Sequence, residues 1–225
     1  MKNGTMYAGR LKKAFAKVRQ HEPDGAAVSE LDDPLRRMAV GILGVDCGDE
    51  AAEAAVDRIL SVMADWNEVR VSHPTQIQRL VGEAIPQGLT RCQQVASALQ
   101  SVFDRENRLS LERLRGLGRR DARLYLEKLN GIGEHAVASV LLWSLGGHAV
   151  PVPTVMLDAL RSAELVNPTA TIDEVQAFLE RNVPATEAKE FCVAMRSMPA
   201  GKRASGGEGK KPKKERPDRK ADAGD

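Results

Sequence analysis

Residues 129–158 read LNGIGEHAVASVLLWSLGGHAVPVPTVMLD. Leu129-Asn130-Gly131-Ile132-Gly133 sets two glycines one residue apart, just before an apolar run with helical spacing: Ala136, Val137, Val140, Leu141, Ser144 and Leu145. A helix is therefore predicted to start beside Gly133. Glycines at this point permit a turn through positive φ and the close approach of a phosphate, while the free N–H groups of a new helix favour an anion. With a preceding helix ending near Leu129, the stretch reads as helix, tight hairpin, helix.

Composition bounds the rest. The 225 residues are 42% hydrophobic, enough for a substantial core in one domain or two small lobes. No apolar run reaches the ~18 residues that span a membrane. Cys47, Cys92 and Cys192 lie far apart, which suggests a reducing interior and a cytoplasmic protein, nucleoid-associated if bacterial. The net charge of +2 is unevenly distributed: residues 1–20 carry six basic and no acidic side chains, and residues 201–225 carry nine basic and five acidic ones. The body between them is therefore acidic, and any basic surface on it is local.

Outward from the hairpin the chain alternates short helices and breaks, which predicts an all-α bundle. Residues 1–28 read as a basic amphipathic helix and a linker, 29–199 as the folded domain, and 200–225 as a disordered basic tail able to bind nucleic acid or simply to solubilise. The first helix reads as a solvated terminal segment or as a phosphate-tracking arm. Asp33-Pro34-Leu35 supplies an acid N-cap and a proline at the first helical position. Residues 50–66 read as one helix burying Ala54, Ile59, Val62, Met63 and Trp66. Ser72-His73-Pro74-Thr75 and Pro86-Gln87-Gly88 read as breaks, and Thr171-Ile172-Asp173-Glu174 as a capped helix start. Arg113, Arg115, Arg119, Arg120 and Arg123 form the densest basic cluster of the folded region, the natural phosphate contacts beside the hairpin.

The hairpin resembles that of the endonuclease III-like helix-hairpin-helix DNA glycosylases, which reads Leu-Pro-Gly-Val-Gly. Leu141 to Gly147 and Pro151-Val152-Pro153-Thr154-Val155 look like the family's second helix and its Val-Asp-Thr-His segment, and weaker similarity runs from about Asp33 to about Met198. The resemblance implies an all-α, two-lobed helical fold, a cleft for an extruded base, DNA as partner (duplex or damaged), a monomer, and a link to base-excision repair. It points to Gly131, Ile132, Gly133, Arg115, Arg119 and Arg120 as DNA-binding residues. It also marks departures. The family's catalytic Asp position holds Pro153, and the Lys nucleophile of bifunctional members is His135. Asp46 stands where the family has a Gln that fills the gap left by the extruded base. No cysteine follows Cys192, so no iron-sulfur cluster is expected, and no other cofactor or metal.

The resulting expectation is a DNA-binding protein with glycosylase chemistry impaired or lost. An active single-function glycosylase using His135 or Asp158, and a protein-interaction module, are the alternatives. His135 reads most simply as a surface residue at a helix start, Asp158 as an ordinary helix-surface acid, and Glu134 as a source of repulsion for a nearby phosphate.

Overall fold

A computed structural model of the chain describes residues 4–21 and 31–196. These form helices α1 (Gly4–His21), α2 (Pro34–Leu43), α3 (Asp49–Val62), α4 (Trp66–Val71), α5 (Pro74–Val81), α6 (Gly88–Glu106), α7 (Arg119–Glu127), α8 (Glu134–Ser139), α9 (Thr154–Ser162), α10 (Ile172–Asn182) and α11 (Ala188–Arg196). No strand occurs among the described residues, so the all-α expectation holds. No helix among them is long and apolar enough to cross a membrane. Most of the linker and the whole basic tail at 200–225 lie outside the described residues.

Local chemistry sets several helix ends as the sequence foretold. The Asp33 carboxylate accepts from the Leu35 and Arg36 amides at the head of α2. Thr171 and Glu174 form a reciprocal capping box on α10. His73 caps α5 through its ring, with Gln76 returning the bond. The helix read over 50–66 is two: α3 ends at Val62 and Asp65 caps α4. Val62 is 66% exposed and Ala54 is also exposed, because Ala52, Ala55, Val56, Ile59 and Met63 supply the buried face.

Helix α2 is the common wall of the two lobes. It packs on α3 and α6 on one side and on α8 with its π-helical continuation, Val140–Ser144, on the other. Close approach to α8 requires Gly41, since a Cβ there would lie 2.7 Å from the Ala136 Cα. Helices α4 and α5 lean on α6, α7 on α8, and α10 on α9. The N-terminal helix is neither frayed nor detached. Leu11 is buried, Phe15 meets Phe191 of α11 edge-on at 5.3 Å, and Arg19 pairs with Glu190 at 2.6 Å.

Candidate nucleic-acid interface

The hairpin is built between α7 and α8. Leu129 is buried and the Asn130 amide donates to Ser101 Oγ at 3.2 Å, which ties the turn to α6. Gly131 has φ +79, and a Cβ there would stand 2.4 Å from the Gln94 carbonyl oxygen. The close approach that demands glycine at this position is therefore to the backbone of α6. Gly133 is different: its φ is −108, it is exposed, and nothing lies within 4 Å of an added Cβ. No side chain caps α8, whose first bond runs from the Val137 amide to the Gly133 carbonyl. The preceding N–H groups of the turn are left to meet an external acceptor. Ile132 is half-buried between the two glycines.

The acid at the head of α8 is neutralised. Glu134 Oε1 accepts from Arg123 Nη1 at 2.7 Å and from Gln176 Nε2 at 2.9 Å, so it braces α7 and α10 against the hairpin. The repulsion expected of Glu134 is offset by these two donors.

The arginine cluster divides by task. Arg115 donates to the backbone carbonyls of Ser144 at 2.5 Å and Asp32 at 2.9 Å, pinning the segments before α2 and after α8. Arg113 lies over the Tyr125 ring and pairs with Glu106 at 2.6 Å. Burial alone would raise the Glu106 carboxyl, but the hydrogen bonds from Tyr125 and Arg113 outweigh it and hold it below the usual carboxylate range. Arg119 and Arg120, in the first turn of α7, are exposed and make no ion pair among the described residues. Of the three arginines assigned to DNA, these two present open guanidinium groups, whereas Arg115 is held by carbonyls.

Pro153 caps α9 with φ −70 and offers no side-chain acceptor. The neighbouring strut is polar. Thr154 donates from its amide to the Val45 carbonyl at 2.8 Å and from Oγ1 to Asp46 Oδ1 at 3.2 Å, while Arg91 Nη2 holds Asp46 Oδ2 at 2.6 Å. Asp46, with its carboxylate fully engaged, is a joint between α6, α9 and the loop after α2. Asp158 sits on the second turn of α9, with a side chain 43% exposed and Arg161 3.9 Å away. His135 is not a surface residue: it is 7% exposed, with Nδ1 2.8 Å from the Gly41 carbonyl oxygen. A carbonyl only accepts, so Nδ1 carries the proton and Nε2 is a buried acceptor without a partner. Burial lowers the His135 pKa from its ordinary value. The structure does not bring His135 and Asp158 together with Pro153: neither lines the cavity that Pro153 borders.

That cavity, about 130 Å³, lies between the start of α3, α9 and α11, with Gly48, Asp49, Pro153, Met156, Cys192 and Arg196 among its walls. Behind it stands a charged hub that sequence reading did not find. Arg37 bonds Asp32 and reaches Glu53 at 3.1 Å and Asp49 at 3.4 Å, and Arg196 holds the same Asp49 oxygen at 2.5 Å. Trp143 is covered by the cations of Arg37, Lys189 and Arg196 at 5.2 to 5.9 Å. The only local signal was the run of acids opening α3; its partners come from positions 12 and 147 residues away. No group of three or more His, Cys, Asp or Glu among the described residues is placed to hold a metal ion.

No protein-family model matches the sequence, and neither does any curated protein. Solved structures do match. A trapped endonuclease III–DNA covalent intermediate superposes with a TM-score of 0.64 at 14% identity, covering 84% of each chain. The Clostridium acetobutylicum 8-oxoguanine glycosylase/lyase bound to duplex DNA gives 0.61 at 14% identity, covering 83% of this chain and 68% of that one. The H. pylori 3-methyladenine DNA glycosylase MagIII gives 0.59 at 12% identity, covering 86% and 95%. All three share this arrangement of helices, and the chain has their two-lobed, all-α helix-hairpin-helix DNA glycosylase fold.

Proposed function

We propose that this protein binds DNA through the hairpin amides about Gly133 and the open guanidinium groups of Arg119 and Arg120, in a role linked to base-excision repair, and that it lacks the usual glycosylase and lyase chemistry. The observation that carries the reading is Pro153. An ionised carboxylate at the head of α9 would stabilise the cationic sugar formed as a base leaves, and the proline ring supplies neither charge nor acceptor. Asp158 is too exposed and too far along α9 to replace it, with Arg161 beside it. A primary amine at position 135 would form a Schiff base with the sugar, and imidazole does not. DNA structures among the similar folds support a nucleic-acid partner.

One observation favours a second reading, an active single-function glycosylase. The unpartnered Nε2 of His135 is an acceptor held in one tautomer by Gly41, a protonation state suited to a general base once the walls that bury it open to a substrate. Duplexes carrying damaged bases, mismatches or an abasic site separate the two: binding that weakens with salt and leaves every strand intact after alkali supports the first, and alkali-revealed cleavage lost in His135→Ala supports the second.

A further inference from the structure

The face of α1 turned toward α10 and α11 borders two open hollows that the DNA-binding reading leaves unused. One, about 530 Å³, lies between Leu11, Phe15 and Ala16 of α1 and Val183, Pro184 and Phe191. The other, about 400 Å³, lies between Gly4, Thr5 and Ala8 of α1 and the α10 residues Phe178 and Arg181. Asn182 walls both, so they meet there and run along α1 as one trough. From Gly4 to Arg19 that helix extends about 23 Å. Small residues keep the trough open: Ala16 is exposed, and a Cβ added at Gly4 meets nothing within 4 Å. The rim is basic. Helix α1 carries Arg10, Lys12, Lys13, Lys17 and Arg19 and no acid. Among the described residues the one acid lining either hollow is Glu187, already 3.5 Å from Arg19. Arg10 and Arg19 are engaged by Glu164 at 3.2 Å and Glu190 at 2.6 Å. Lys12 and Arg181, on opposite walls, are exposed and make no ion pair among the described residues.

We infer that this trough docks an acidic amphipathic helix of another protein. Apolar side chains at i, i+4, i+7 and i+11 of that helix seat against Phe15, Val183 and Phe191, and its carboxylates face Lys12 and Arg181. Charge decides the sign of the partner, and the apolar floor decides its kind. Duplex DNA gains its affinity from phosphate neutralisation and nothing from Phe15 or Pro184. A second copy that laid α1 against α1 would set like charges together. The chain's own residues 201–225 bring nine basic side chains and no Leu, Ile, Val, Met or aromatic residue to anchor them.

The probe is a fluorescent peptide of about 16 residues, glutamate-rich with leucines at i, i+4, i+7 and i+11, measured by anisotropy against the full chain. Two control peptides keep the leucines: one replaces every glutamate by lysine, the other sets a proline at the centre to break the helix. Ala16→Trp fills the trough and Lys12→Glu reverses a rim charge, both from exposed positions of α1 that leave the core untouched. The acidic peptide is expected to bind about tenfold more tightly than either control, and each variant to weaken it about tenfold. No binding of the acidic peptide, equal binding of the lysine peptide, or binding unchanged in Ala16→Trp overturns the inference. So does duplex affinity lowered by Lys12→Glu with no peptide effect, which assigns α1 to phosphates. Self-association lost in Ala16→Trp with no peptide effect also overturns it and assigns the trough to a second copy. Peptide binding by a chain that binds no duplex upholds the trough and sinks the DNA reading; salt-sensitive duplex binding without peptide binding does the reverse.

Discussion

Arg123 Nη1 lies 2.7 Å from Glu134 Oε1, joining α7 to the first residue of α8 across the hairpin. The pair converts an acid at the start of α8 into a brace, and Gln176 on α10 completes it at 2.9 Å. The charge remains where it complements the positive end of α8. The turn is thus positioned from three helices, with its outward face left to the amides near Gly133.

The two hairpin glycines should respond differently to alanine. In Gly131→Ala the methyl group meets the Gln94 carbonyl, and φ +79 adds backbone strain. The expected loss of stability is about 3 kcal/mol by urea denaturation. Gly133→Ala has open space and φ −108, so it should unfold within about 0.5 kcal/mol of the parent. Equal losses in both would contradict the packing described here.

Arg119→Ala and Arg120→Ala should each weaken duplex binding and lower the slope of log affinity against log salt by about one, with unchanged thermal stability. Arg115→Ala should instead lower the melting temperature, because it strips donors from the Ser144 and Asp32 carbonyls. Binding titrations at several salt concentrations beside thermal melts separate the two effects.

Arg37→Met should be costly. It leaves the Asp32 and Glu53 carboxylates without their partner and Asp49 with Arg196 alone. Asp32 and Glu53 retain side-chain exposures of 38% and 35%, so the loss belongs near the low end for a broken buried pair, about 3 kcal/mol. Chemical denaturation measures it.

His135 gives stability a pH dependence of known sign. Burial holds its folded-state pKa below the ordinary 6.5, so below 6.5 the unfolded chain takes up a proton that the folded chain refuses. The stability contributed by the neutral ring is complete above 6.5 and is lost as pH falls from there through the folded pKa. The expected slope approaches about 1.4 kcal/mol per pH unit between 6.5 and the folded pKa and should shrink in His135→Gln. Urea denaturation from neutral to mildly acidic pH reads it.

Much of the fold was legible because its signals are local. Asp33-Pro34 and Thr171 to Glu174 carry their caps within four residues, and Gly131 announces a positive φ by residue type. The break at Met63 was missed because nothing in the Glu50 to Trp66 pattern opposes a continuous helix until Asp65 is seen to cap α4. Docking of α1 depends on Phe191, and the hub on Arg37, Asp49 and Arg196, pairings of long sequence separation that periodicity does not encode. His135 went the same way. A histidine at a helix start reads as exposed until Gly41 brings α2 against it.

Alkali-revealed strand cleavage, scored on duplexes already shown to be bound, tests the central claim most directly. The account predicts a salt-sensitive complex with every strand intact across the damaged, mismatched and abasic substrates. Cleavage of any bound duplex by the parent protein, abolished in His135→Ala or Asp158→Ala, would contradict it and establish a working glycosylase without a carboxylate at position 153.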